Sequence, residues 1–364
     1  MAKKKESKTV VDMKMFKTAR ESLKEENSRS TLSVSPSLDF RLNGGIPEGT
    51  FALLRTLPKV GKSVLCMQIA ANALKQGRYV VYADLERRLL GSKYFQIAGF
   101  DLDDPKFMLL QSKENEPPLS GERAYKIILD MMKMPKYAGA VYIVDSLSKA
   151  IPQVILDDPE INASRRDMTP RLNTDFCKKI GNIVRTSRSI LVGIQHFHVN
   201  TSGYGDKYEA TGGNGLIYET DITFDSRHNP FDWDGKRINV TDEETGLEGQ
   251  LINFNLVHNK KGAPYISKDN PIKTYIKFGE GVWWGREAFD LLPHTGLMME
   301  TGKSRYSIML PDGTEIKTHG ADKTVEAIEE NRVVLEKVIK DYFIEKHKIS
   351  YDFIPPKFSE EEDE

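Results

Sequence analysis

Cysteine is scarce: Cys66 and Cys177 are the only two in 364 residues. They lie far apart in sequence, so no disulfide framework and no Cys-x-x-Cys metal pair can form, which fits a reducing cytosol. No apolar run approaches the roughly 20 residues that a membrane-spanning helix needs. The basic start, MAKKKESKTVVDMK, lacks the apolar stretch of a signal peptide. Charge of one sign is not in excess either. Lys plus Arg is 52 and Asp plus Glu is 53, a net charge of −1 that points to no partner. Nucleic acid stays open, because a local basic stripe suffices. There is no internal repeat.

What is present is a core-forming composition, 39% hydrophobic and 29% charged. The length suits one large domain with appendages, or two domains. Residues 1–9 read as a disordered basic lead. The segment VVDMKMFKTARESLKEENSR follows with Val11, Met15 and Ala19 on one helical face. That helix either packs on its own domain or docks on a neighbouring subunit. From Ser33 strands and helices alternate. Strands are expected at 50–54, 79–84, 139–145 and 189–195, and helices at 62–75, 122–132 and 174–188. Buried apolar strands between helices imply an α/β fold, a mostly parallel sheet covered on both faces. After about residue 220, ITFD, QLINFNLV and IKTYIKF read as strands of an antiparallel extension. One helix, TVEAIEENRVVLEKVIKDYFIEK, is expected near the end. The chain closes on five acidic residues, Glu360 to Glu364, a solvated tail or a competitor of DNA for a basic surface.

The stretch FALLRTLPKVGKSVLC carries the first chemistry. Its second half matches a phosphate-binding loop, G-x-x-x-x-G-K-[ST], except that Thr56 stands where the motif asks for glycine. Thr56, Pro58, Lys59, Val60, Gly61, Lys62, Ser63 and Val64 would form the loop. Backbone N–H groups at the following helix would face phosphate. Lys62 would reach the β- and γ-phosphates, and the Ser63 hydroxyl would bind Mg²⁺. VYIVD then ends a strand on Asp145, which would hold the magnesium shell. YADLERR places Glu86 just past a strand end, where a carboxylate can activate water. Glu86 could equally be a surface residue paired with Arg87 or Arg88.

Together these residues resemble the RecA family of DNA recombinases, including its phage UvsX-like members. The resemblance runs in order from about Ser33 past residue 300. It takes in LSVSPSLDFRLNGGIPEGTFALL, YADLE, IAGFDLDD, AVYIVDSLSKAIP, GIQHFHVN, ATGGNG, VHNKKGAP and FGEGVWWGREAFDL. It implies a RecA-like P-loop ATPase core over 33–285 and an N-terminal lead with a subunit-docking helix over 1–32. A small C-terminal α+β domain would span 286–355, and the acidic tail 356–364. It implies ATP and Mg²⁺, with Lys62 and Glu86 catalytic, Glu86 as the activating carboxylate. His196 would be the polar sensor of the γ-phosphate, and a zinc pair of His196 with His198 is not expected without other ligands. Tyr94 would pack on adenine, or is a core tyrosine. Lys260 would reach the ATP of the adjacent subunit, and His258 stands where the family often has a second lysine.

DNA contacts would come from two loops. Arg165, Arg166 and Arg171 would neutralise phosphates in the first. Tyr204, Lys207, Tyr208, Gly212, Gly213 and Asn214 belong to the second, whose aromatic and charged mixture suits single-stranded DNA. Either could be an ordinary polar surface loop. The resemblance implies an ATP-dependent recombinase, a DNA-dependent ATPase acting in DNA recombination and repair. It would form a helical homo-oligomeric filament on single-stranded DNA and pair it with homologous double-stranded DNA, in the cytoplasm, a bacterial host's if viral. Single-strand-binding or mediator proteins are possible partners. Two rivals share the core: a ring-forming helicase, and a nucleotide-gated DNA-binding or loading protein with little turnover. The roughly thirty residues before the core leave no room for the domain such a helicase is expected to carry there. Thr56 is expected to weaken ATP binding or slow turnover, as far as position 56 demands a glycine backbone.

Overall fold

The structure, a computed structural model, describes residues 16–89, 101, 103–158, 167–200, 207–213, 215–227, 230–233, 248–261 and 271–356. The alternating region folds as one large sheet. Its order is Gly281–Val282, Ile272–Lys277, Gly249–Asn259, Ile222–Ser226, Thr50–Thr56, Ile190–Val199, Val141–Asp145, Val80–Asp84 and Phe107–Leu110. Strands from Ile222–Ser226 onward in that order pair in parallel. The other three pair antiparallel. The sequence reading starts the antiparallel extension at ITFD. Instead Ile222–Ser226 is parallel to Thr50–Thr56, with Thr223 beside Leu53. Apolar patterning does not record strand direction. The chain reaches Ile222 through the short helix Leu216–Glu219, a crossover that returns it to the same end of the sheet.

The strand Thr50–Thr56 is buried along its whole length, as a central parallel strand must be. Its alternation assigns the two faces. Ala52 and Leu54 join Leu65 and Ile69 of the helix Lys62–Lys75 in one apolar cluster. Phe51 and Leu53 join Tyr125, Phe176 and Ile180 on the other face, from the helices Gly121–Lys133 and Thr169–Thr186.

Two helices differ from expectation. The N-terminal helix is Ala19–Asn27, closed by a capping box between Thr18 and Glu21. It buries no residue, so packing on its own domain is not what the described residues show. Val11 and Met15 lie outside the described residues. Near the C-terminus two helices, Ala321–Glu330 and Arg332–His347, replace one. The break is Asn331, whose side chain turns back to donate to the Ala327 carbonyl, the local competition that makes asparagine a poor helix interior residue. These helices cover the helix Trp284–Thr295 and the three-stranded antiparallel sheet Met298–Gly302, Arg305–Met309, Glu315–His319.

One buried carboxyl joins this C-terminal unit to the core, and a second braces the segment that it binds. Glu287 accepts the Ser37 N–H at the start of the helix Pro36–Arg41. Asp39, on that helix, accepts from Ser33 Oγ and the Val34 N–H. Burial pushes Asp39 up to about 7, against the pull of its hydrogen bonds and of Lys340. Burial pushes Glu287 up to about 8, with Asp39 adding to the rise. Both values lie above the ordinary 3.8 and 4.5, so the fold holds protons that the unfolded chain releases. Their contribution is therefore full below the ordinary values and is lost as pH rises through the folded ones. Unfolding by urea should show stability falling between about pH 5 and about pH 8.5, with much of the slope removed by Glu287→Gln. A wild-type profile that rises over this window would contradict the assignment.

Candidate nucleotide and DNA site

Parallel register brings the chemistry to one edge of the sheet. Thr56 lies beside His196 and Ser226, and Asp84 beside Asp145. Ligands in open α/β sheets bind outside these carboxyl ends. The loop leaves the sheet after Thr56, exposes Pro58 and Lys59, buries Val60 and enters the helix at Lys62. Gly61 has φ 69°, and a Cβ there would collide with Ile276 and Ile252. Lys62, Ser63 and Val64 open the helix, where free N–H groups would favour an anion.

Thr56 itself departs from expectation. It is the last residue of its strand and is registered with partners on both sides. The left-handed positions are Lys59, φ 61°, and Gly61. The loop therefore stores its backbone strain at Lys59, on the order of 1–2 kcal/mol, and position 56 makes no glycine-only demand.

Asp145 ends its strand buried, and its Oδ2 accepts from Ser63 Oγ at 2.9 Å and from Tyr82 OH at 2.8 Å. Burial raises its pKa, opposed by those two hydrogen bonds and by Lys62. Glu86 is positioned by the Leu85 N–H, which donates to the Asp145 carbonyl. Its side chain is only 7% exposed, although Arg88 reaches Oε2 at 3.3 Å. Ser146 Oγ donates to Glu86 Oε1 at 3.0 Å. His196 Nε2 lies 3.2 Å from the same oxygen, out of line for a hydrogen bond. Burial, then Lys62, lowers the imidazole pKa to about 4, so at neutral pH this is a contact of a neutral ring with a carboxylate. Glu86, Asp145 and His196 offer ligand atoms all within 4.8 Å of one another. With the Ser63 hydroxyl, this oxygen-rich donor set fits a hard divalent cation such as Mg²⁺. His198 is not part of it; it contacts Thr211 and Glu209.

The strand of His196 continues into a hairpin. Phe197, His198 and Val199 pair with Ala210, Glu209 and Tyr208, in that order. Lys207 Nζ stands 5.3 Å from the centre of the Tyr208 ring. Gly212 and Gly213 have φ 87° and 111°, and a Cβ on Gly212 would press on Asn173 Nδ2. Three residues that the sequence reading did not single out bind the hairpin base together. Gln195 donates to the carbonyls of Thr211 and Gly213. Ser148 Oγ accepts the His196 N–H and donates to the Thr211 carbonyl. Asn173 donates to the carbonyls of Leu147 and Gly212. Ser146 is the residue on Glu86. Asn173 belongs to the helix that also carries the exposed Arg171. Tyr94, Arg165, Arg166, Tyr204 and Asn214 lie outside the described residues.

Residues 5–283 match the family model of the RecA N-terminal domain. The chain belongs to the RecA family. It is 25% identical over 320 residues to the RecA protein of Oleidesulfovibrio alaskensis, covering 86% of this chain and 83% of that one. It is 27% identical to the RecA protein of Rhodospirillum centenum, over 78% of this chain and 72% of that one. For the RecA protein of Blastochloris viridis the identity is 27%, over 74% and 70%. These relatives are RecA proteins; the phage UvsX-like branch is not among them. RecA-family proteins are DNA-dependent ATPases that use ATP and Mg²⁺. No helix among the described residues is long and apolar enough to cross a membrane.

Two residues that the resemblance singles out lie away from this edge. Asn259 pairs with Ile222, which pairs with Ala52 near the start of the central strand. His258 and Lys260 therefore sit at the amino edge, at least ~13 Å of strand from the loop of the same chain. Lys260 Nζ donates to the Tyr218 carbonyl at 2.8 Å. Burial and then Lys260 lower the His258 pKa, so at neutral pH His258 adds no second charge.

The Thr56 geometry gives a clear expectation. Thr56→Gly should cost roughly 1 kcal/mol of stability and leave the affinity for an ATP analogue within twofold. Tighter binding in a titration calorimeter, with no loss in melting temperature, would restore the strained-loop reading.

Proposed function

We propose that this protein is an ATP-dependent homologous recombinase that polymerises on single-stranded DNA and promotes pairing and strand exchange with homologous double-stranded DNA. The observation that carries the reading is the shared strand: His196, beside Glu86, continues directly into the Lys207–Tyr208 hairpin. A nucleotide site and a candidate DNA element are thus two parts of one rigid strand. We place the core at 33–285 and the small C-terminal domain at 286–355, and the protein in the cytoplasm.

In this reading the loop N–H groups and Lys62 would hold the ATP phosphates, and Ser63 and Asp145 would hold Mg²⁺. The cation would neutralise charge on the β- and γ-phosphate oxygens. Glu86 accepts the proton of the attacking water; Ser146 fixes its carboxylate, and 7% exposure keeps bulk water away. The neutral His196 imidazole contacts the γ-phosphate side and reports its presence through the strand. Lys260 acts on the next subunit's ATP, where its charge stabilises the transition state. Arg171, Lys207 and Tyr208 contact the DNA backbone and bases.

Glu86→Gln should lower DNA-stimulated ATP hydrolysis by about 10²-fold or more while leaving analogue binding intact. A wild type without turnover would favour the nucleotide-gated loading protein. Electron microscopy with single-stranded DNA and a non-hydrolysable ATP analogue should show helical filaments, and closed rings would move the reading to a helicase. Lys260→Ala should reduce turnover about 10³-fold and shorten filaments, with one-site analogue binding by the monomer unchanged.

A further inference from the structure

The residue after the proposed sensor faces the other way. Along the strand Ile190–Val199 successive side chains alternate between faces. His196 turns to Glu86, whereas Phe197 enters a separate small apolar cluster with Leu57 and Val60 of the phosphate loop. Tyr208 and Ala210, the other strand of the hairpin, pack on the same cluster. Phe197 is 3% exposed and Val60 is fully buried. The phosphate loop and the hairpin thus touch through apolar side chains as well as through the sensor.

A buttress stands behind the ring. The guanidinium groups of Arg55 and Arg227 lie 5.4 Å and 5.0 Å from the Phe197 centroid. Both arginines are fixed on one buried carboxylate, Asp225. Arg55 binds it through Nε at 2.6 Å and Nη2 at 2.8 Å, and Arg227 through Nε at 3.0 Å. Leu57 is held to the same strand end, its N–H donating to the Ser226 carbonyl. A ring in contact with two guanidinium groups and with the loop residues is poorly placed to absorb a shift of the hairpin by turning away.

We infer that Phe197 is a positioning residue that couples the phosphate loop to the DNA hairpin, through Leu57 and Val60, on the sheet face opposite His196. Phosphate binding fixes Leu57 and Val60, and strand binding fixes the hairpin; each sets the packing that the other needs. Such coupling is reciprocal: nucleotide raises DNA affinity by the same factor as DNA raises nucleotide affinity, typically about 5–150-fold. The inference rests on the reading of the paired strands 197–199 and 208–210 as part of a DNA element.

The test measures that factor in the full chain, with a fluorescent oligothymidylate and a non-hydrolysable ATP analogue. Phe197→Ala should cut the factor at least about fivefold, equally from both directions. Phe197→Leu, which keeps an apolar contact with the loop, should retain most of it. Leu57→Ala approaches the same contact from the loop, and with Phe197→Ala should lose no more coupling than the greater of the two single variants. A factor unchanged in Phe197→Ala, or a leucine variant as uncoupled as the alanine one, overturns the inference. Should Phe197→Ala fail to fold by circular dichroism, Leu57→Ala decides alone, an unchanged factor again overturning it. A wild type in which nucleotide and DNA have no effect on each other removes the recombinase reading instead, and the coupling with it.

Discussion

The nucleotide edge depends on one buried carboxylate. Asp145 ends the strand Val141–Asp145 and accepts from Ser63 on the phosphate-loop helix and from Tyr82 on the neighbouring strand. Three elements therefore meet at one oxygen. Its backbone carbonyl takes the Leu85 N–H, which places Glu86 one residue on. Solvation lost on burial is replaced by fixed donors, so in the proposed reading the groups that would surround a phosphate and its cation need little rearrangement on binding. Moving Asp145 would loosen the loop, the tyrosine strand and the candidate base at once.

A β-strand is well suited to link such a site to a distant element, because its two faces are read separately. On the Ile190–Val199 strand, Gln195 grips the hairpin base, His196 meets Glu86 and Phe197 meets the phosphate loop. Ser148 adds a cross-link between the strand's own backbone and the carbonyl of Thr211. Rigid pairing makes the three contacts respond together, which a flexible connection between the same residues could not do.

The sheet and the strand–loop–helix over residues 50–75 were legible because their signals are local. Gly61 and Gly77 punctuate the helix, and the expected bounds, 62–75, are those observed. The helix Thr169–Thr186 begins five residues before the expected 174; Pro170 in its first turn was the missed start signal. Gln195, Ser146, Ser148 and Asn173 were illegible for another reason. Each bonds a partner 16 or more residues away, and no spacing rule marks such a bond. Thr56 misled because the motif is written in residue types, whereas the positive φ falls at Lys59.

The position of Lys260 explains why such a subunit would be incomplete alone. Its ammonium stands at the amino edge of the sheet, while the phosphate loop stands at the carboxyl edge. Two different surfaces of one chain must then meet, which is a heterologous contact and propagates from copy to copy. In the lone subunit the ammonium rests on the neutral Tyr218 carbonyl. A phosphate oxygen of a neighbour carries full negative charge and makes the stronger, charge-assisted bond. Exchange of the first partner for the second is favourable only when nucleotide is present, so in the proposed assembly ATP acts as the contact that joins one copy to the next.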